Sequence, residues 1–170
     1  MPPPLRLATA ADVPALAALY ADTARALGAW CYTPEQVQAW ARFGADTPAF
    51  RDYVLQAQTW VATGDAGQVQ GFCGVSTHGP GGEVHSLYVR AGLGRQGLGS
   101  RLLAHALERA QAQGTQSFAA WATPFSRPVF ERAGFVLVQT VREPFQGVMF
   151  ERLRVERGVK QGAGHTLQRG

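Results

Sequence analysis

The spacing of apolar and polar positions divides the chain into strands and helices, and their order limits the fold. Leu5-Arg6-Leu7 alternates as a short strand. Val13, Leu16, Ala17 and Tyr20 then recur at helical spacing, with Asp12 placed to cap that helix. Thr33-Pro34-Glu35-Gln36 opens a second helix. Thr33 suits the N-cap, Pro34 the first helical position, and Gln36 completes a capping box, which turns Val37, Trp40 and Ala41 inward. Thr59 to Ala62 and Val69 to Ser76 read as strands joined across Gly64-Asp65-Ala66-Gly67. After the loop Gly79-Pro80-Gly81-Gly82 comes the strand Glu83 to Val89. Simple alternation puts Val84, Ser86 and Tyr88 on one face and Glu83, His85, Leu87 and Val89 on the other.

Helical period returns in Leu98, Leu102, Leu103, Ala106, Leu107 and Ala110, and Gly114 is placed to end that helix. Phe118 to Ala122 reads as a buried strand, and Pro128 to Ala133 as a short helix closed by Gly134. Val136 to Val141 and Val148 to Val155 read as an antiparallel pair. Hairpins mixed with strand–helix–strand crossovers predict an α/β fold. Its single mixed, mostly antiparallel sheet has about seven strands and is flanked by about four helices. One domain is expected over residues 1–157, and the glycine-rich tail 158–170 is expected to be disordered.

Composition narrows the class without changing this picture. With 170 residues, 46% of them apolar, the chain can pack a core without disulfide or metal. Met1-Pro2-Pro3-Pro4 leads directly into the first strand without a secretory pattern, and Val13 to Tyr20 is too short to span a bilayer. Cys31 and Cys73 match no metal or redox spacing and read as buried small residues in a reducing compartment. A cytoplasmic protein with neither membrane nor metal partner is expected.

Charge is unevenly spread. Residues 1–80 carry four Arg and six acids, a balance of −2; residues 81–170 carry eleven Arg, Lys160 and six acids, a balance of +6. The basic half suits an anion. Lysine is nearly absent and no helix carries a basic stripe interleaved with aromatics, so a small phosphorylated ligand is favoured over nucleic acid.

One segment is dense in glycine: Val89-Arg90-Ala91-Gly92-Leu93-Gly94-Arg95-Gln96-Gly97-Leu98-Gly99-Ser100, between a strand and an amphipathic helix. Glycines let the backbone approach a ligand, and the first N–H groups of the helix carry the positive end of its dipole, so pyrophosphate fits. Arg90 and Arg95 could add charge-assisted bonds. Gly92 to Gly97 is formally G-x-G-x-x-G, but a dinucleotide site needs an acidic residue about 20 positions on. Ser117 to Ala122 has no carboxylate, and the loop lies mid-chain rather than in an opening βαβ unit.

Leu87-Tyr88-Val89 and the loop running into Gln96-Gly97-Leu98-Gly99-Ser100-Arg101-Leu102-Leu103 resemble the acetyl-CoA motif of the GNAT superfamily of N-acetyltransferases. Ser126-Arg127-Pro128-Val129-Phe130-Glu131-Arg132-Ala133-Gly134-Phe135 resembles that family's short helix and terminal Gly-Phe, and Leu5 to Asp12 its opening. The resemblance spans roughly residues 5–155. It departs at two positions: the first residue of the Gln/Arg-x-x-Gly-x-Gly/Ala pattern falls on Gly94, and the tyrosine that often protonates the departing thiolate falls on Phe130.

The resemblance implies acetyl transfer from acetyl-CoA, as co-substrate, to a primary amine of a small molecule or peptide, by direct attack on the thioester. Leu87, Tyr88, Val89, Gly94, Arg95, Gln96, Gly97, Leu98, Gly99, Ser100, Thr123, Ser126 and Phe130 are then the candidate CoA contacts. The pantetheine arm would pair like a strand along Leu87 and Val89, where a backbone N–H serves as oxyanion donor. For the base that accepts the amine proton, the resemblance puts Glu83 first, since many members carry an acidic residue there, and His85 second; the plainer alternatives are a solvated carboxylate and a packed or exposed histidine. Thr123 and Ser126 equally suit helix capping. Trp30, Tyr32, Trp121 and Phe145 are candidate acceptor walls, with Trp40, Phe43 and Phe150 as further aromatics that also suit a core. Aromatic walls favour a compact, partly apolar amine over a polyamine. Phe130 and Gly94 keep a catalytically silent CoA-binding module as the alternative, and a homodimer is left open.

Overall fold

The computed structural model describes residues 2–94 and 96–158. Its elements are β1 (Leu5–Leu7), α1 (Val13–Gly28), α2 (Pro34–Phe43), α3 (Thr47–Leu55), β2 (Gln58–Thr63) and β3 (Val69–His78). They continue with β4 (Gly81–Val89), α4 (Leu98–Ala112), β5 (Ser117–Ala122), α5 (Arg127–Arg132), β6 (Val136–Phe145) and β7 (Val148–Gly158). The seven strands form one sheet in the order β1-β2-β3-β4-β5-β7-β6. Every neighbouring pair is antiparallel except β4–β5. This is the mixed sheet that the pattern predicts. Of the residues 158–170 expected to be a disordered tail, Gly158 instead ends β7, paired with Ser117, because the ladder to β5 runs that far; 159–170 lie outside the described residues.

Two cores sandwich the sheet. On one face Leu102, Leu103 and Leu107 of α4 pack with Cys73, Val84, Phe118 and Val155. On the other, Leu16 and Tyr20 of α1 pack with Phe50 of α3, Val61 and Phe72. β2 and β3 are therefore largely buried on both faces, as packing between two helical layers requires.

Several expectations are corrected. Five α-helices flank the sheet among the described residues, in keeping with the about four expected, but α3 has no counterpart in the predicted order: it buries only Phe50 and Val54 and offers little periodicity to detect. Asp12 does not cap α1. Its carboxylate accepts two bonds from the Arg6 guanidinium, each 2.8 Å, and one of 2.7 Å from the Thr9 N–H. Cys73 is buried, whereas Cys31 is exposed. The capping box on α2 forms as read: Gln36 N–H donates to Thr33 Oγ1 at 3.2 Å, and Thr33 N–H to Gln36 Oε1 at 2.9 Å.

The most consequential correction lies in β4. Gly74 pairs with Ser86 and Val75 with Val84, so His85 is an extra residue opposite none on β3. This bulge restarts the alternation. Val84, Leu87 and Val89 consequently face the α4 core, whereas Tyr88 faces the aromatic core under α1 and α2. The simple two-face assignment therefore fails from His85 onward, where every later side chain changes face relative to Val84.

Candidate functional site

Strands β4 and β5 pair in parallel only from Gly81↔Ser117 to Val84↔Ala120. Beyond that point they part, and a cleft of about 930 Å³ opens between them. One wall is β4 from Val84 to Val89. The other is formed by Trp121, Thr123, Phe125 and Ser126, while the end of α1, the glycine loop and α5 complete the rim. A splay after a parallel pair leaves strand backbone without a ladder partner, which is where an extended ligand can pair.

The glycine loop closes one end. Gly94, Gly97, Gly99 and Ser100 line the cleft, as do Gly92 and Leu93. Gly97 is the N-cap of α4 at φ 80°, in the left-handed region, and offers no side chain to cap the helix. The first N–H groups of α4 are thus left to a ligand, with the helix dipole behind them. Gln96 is exposed outside the cleft wall, and Leu98 is buried in the α4 core. Arg95 lies outside the described residues. Arg90 donates through Nε at 3.0 Å and Nη2 at 2.6 Å to the Val69 carbonyl, so it ties β4 to β3 while bordering the cleft.

Leu87, Tyr88, Val89, Thr123, Ser126 and Phe130 all border the cleft. Thr123 and Ser126 satisfy each other: Thr123 N–H donates to Ser126 Oγ at 2.9 Å and Ser126 N–H to Thr123 Oγ1 at 3.1 Å. They hold the turn into α5. Phe130 is buried edge-to-face against Phe135, with ring centroids 5.0 Å apart, and brings hydrocarbon where a phenol would donate.

The two candidate bases are separated by their surroundings. Glu83 accepts two bonds from Arg154, at 2.6 and 2.9 Å, and does not border the cleft. Arg154 and Arg152 lie over the Trp121 ring at 4.9 and 4.7 Å from its centroid. His85 borders the cleft, with Nε2 2.5 Å from Ser76 Oγ. Desolvation beside the strand, aided by His78 and opposed by Glu83, holds its pKa below the ordinary histidine value.

Of the candidate acceptor walls, Trp30 stands 83% exposed on the rim and Trp121 lies on the wall. Tyr32 and Phe145 are elsewhere. Tyr32 packs on Trp40 and Phe150, and Phe145 on Phe43 and Phe150, both half-buried against the aromatic core. The sequence reading missed Phe125, which lies across Trp40 with centroids 6.5 Å apart, and Thr23, Ala26 and Leu27 of α1. Phe125 immediately precedes the Ser126–Phe135 motif, which is the one signal that points to it; the α1 residues carry no local signal. None of the described residues lining the cleft is acidic. Among the described residues no group of three or more His, Cys, Asp and Glu side chains could hold a metal ion, and no helix is long and apolar enough to cross a membrane.

Comparison with known proteins now decides the family. Residues 29–156 match the family model described as the acetyltransferase (GNAT) domain. The chain belongs to the GNAT acetyltransferase family. A curated relative, an L-methionine sulfoximine/L-methionine sulfone acetyltransferase of Pseudomonas aeruginosa, is 35% identical over 119 residues, covering 65% of this chain and 64% of that protein. The match thus spans slightly under two thirds of that relative's length. Among solved structures, a GCN5-related N-acetyltransferase from Rhodopseudomonas palustris superposes with a TM-score of 0.85 at 23% identity, covering 94% of this chain and 97% of that one. A phosphinothricin acetyltransferase from Sinorhizobium meliloti, in complex with AcCoA, gives 0.66 at 22% identity over 100% and 95% of the two chains. The GNAT fold is common to all three chains.

Proposed function

We propose that this GNAT protein is an N-acetyltransferase that carries acetyl from acetyl-CoA to a primary amine of a small, largely apolar molecule. The observation that carries the reading is the cleft itself: unpaired β4 backbone at the splay, ending on an uncapped helix N-terminus inside a glycine loop. An extended arm ending in a pyrophosphate matches that sequence of donors. Bound acetyl-CoA supplies a thioester that a neutral amine attacks directly, releasing the CoA thiol. The chain's own part is to place, desolvate and deprotonate.

His85 is the base in this reading, directly or through a water. Its Nε2 faces Ser76, so the tautomer with Nε2–H donating to Ser76 Oγ leaves Nδ1 to take the proton. The lowered pKa keeps the imidazole neutral at physiological pH. The thiolate leaves without help from position 130, which is tolerable for a thiol of ordinary pKa about 8.5. The aromatic and carboxylate-free walls favour a compact amine over a polyamine or a lysine-rich segment. The P. aeruginosa relative, named for two small amino-acid derivatives, points toward the same size of acceptor.

The test is CoA-thiol release with acetyl-CoA and a panel of aryl- and alkylamines, small amino acids, polyamines and peptides. Transfer to one of the small amines is expected. CoA binding without transfer to any member would instead identify a CoA-binding module, the reading that Phe130 favours.

A further inference from the structure

Resting on the acetyl-transfer reading, the geometry points to Tyr53, on the helix furthest from any motif, as the residue that positions the reactive stretch of β4. At His85 the strand is released on both edges. The bulge removes its partner on β3, and pairing with β5 has ended one residue earlier, at Val84. A residue without a partner on either neighbouring strand lacks the ladder pairing that would fix its peptide plane. One bond from outside the sheet fixes it instead: Tyr53 Oη donates to the His85 carbonyl at 2.8 Å. Because the peptide is planar and trans, pinning that carbonyl also fixes the direction of the Ser86 N–H and the entry into Leu87 to Val89.

Tyr53 is built for this purpose. Its ring is clamped by Phe43 at 5.2 Å, Phe50 at 5.5 Å and Tyr20 at 6.4 Å, so the hydroxyl has little freedom. Burial raises its pKa well above the ordinary tyrosine value, so the proton is always there to donate. Across the bulge Ser86 Oγ accepts from the Gly74 N–H at 2.7 Å, anchoring the residue after His85 to β3 by its side chain. Tyr53 touches the peptide that carries His85 and leads to the backbone donors, and acts through them. It is a positioning residue.

Tyr53→Phe keeps the ring and removes only the hydroxyl. The expected result is kcat lowered about tenfold, with the acetyl-CoA dissociation constant and the acceptor KM each within about twofold of wild type. Amide exchange in the segment 84–88 should rise while exchange in α4 stays unchanged. A purely structural tyrosine would shift the unfolding midpoint and cofactor affinity together, without a selective loss of kcat. Unchanged kcat together with unchanged exchange at 84–88 would overturn the inference. If no amine is acetylated by the wild type, the acetyl-transfer reading fails, and the exchange experiment still decides whether Tyr53 holds the bulge.

Discussion

At the scale of single residues, two side chains two positions apart have different neighbours. Glu83 is occupied by Arg154, whereas His85 opens on the cleft with a pKa pushed below that of an ordinary imidazole. A base must be unprotonated, so activity should hold at neutral pH and fall as pH drops through the lowered pKa of His85, below 6.5. His85→Gln should lower kcat/KM roughly a hundredfold and flatten that acid limb. Glu83→Gln should leave the limb where it is and instead reduce stability by about 1–3 kcal/mol, because it strands the Arg154 guanidinium. A pH profile that moves in Glu83→Gln and not in His85→Gln would reverse the assignment. Gly97 has a different demand. Nothing lies within 4 Å of where its Cβ would stand, but its φ of +80° excludes branched side chains. Gly97→Val should therefore weaken acetyl-CoA binding at least tenfold by turning the α4 terminus, while chemical denaturation shows a loss of only about 1–3 kcal/mol.

At the scale of elements, β1 is short and depends on the Arg6–Asp12 pair to tie it to the start of α1. The guanidinium beside Asp12 lowers its carboxyl from 3.8 to about 2. The folded pKa lies below the unfolded one, so this stabilisation is complete above the unfolded value and is lost as pH falls through about 2. Solvent at Arg6 trims its size. Asp12→Asn should cost about 1–2 kcal/mol near neutrality, with wild-type and variant stabilities converging as pH approaches 2. Denaturant titrations at both pH values measure it. The same elements show what a sequence can reveal. α2 announces itself because Thr33, Pro34 and Gln36 each perform a local task, and α4 because six apolar residues keep one period. α3 stays hidden with two anchors, and the β4 bulge stays hidden because it depends on β3: nothing within Glu83 to Val89 marks His85 as the residue without a partner.

At the scale of the whole molecule, order of elements and site are legible to different degrees. Glycine spacing and the Ser126–Phe135 motif single out residues that the fold brings to the cleft, Gly94, Gly97, Gly99, Ser126 and Phe130 among them, since a loop that would serve a ligand through its backbone must write that need into its residue types. The proposed acceptor walls are not readable in the same way. Tyr32 and Phe145 are as aromatic as Trp121, and only tertiary packing turns them against the aromatic core while leaving Trp121 on the wall. What joins the scales is the parting of β4 from β5 after Val84↔Ala120, which opens the cleft that we propose holds acetyl-CoA. The direct test of that claim is thermal unfolding with acetyl-CoA, CoA and NAD titrated separately. Acetyl-CoA and CoA should each stabilise the protein in proportion to log concentration, by about 2.7 kcal/mol at a hundredfold excess over the dissociation constant, and NAD should not. An unfolding transition that acetyl-CoA leaves unmoved would mean that the glycine loop is only a turn, and that this chain keeps the GNAT fold without its cofactor site.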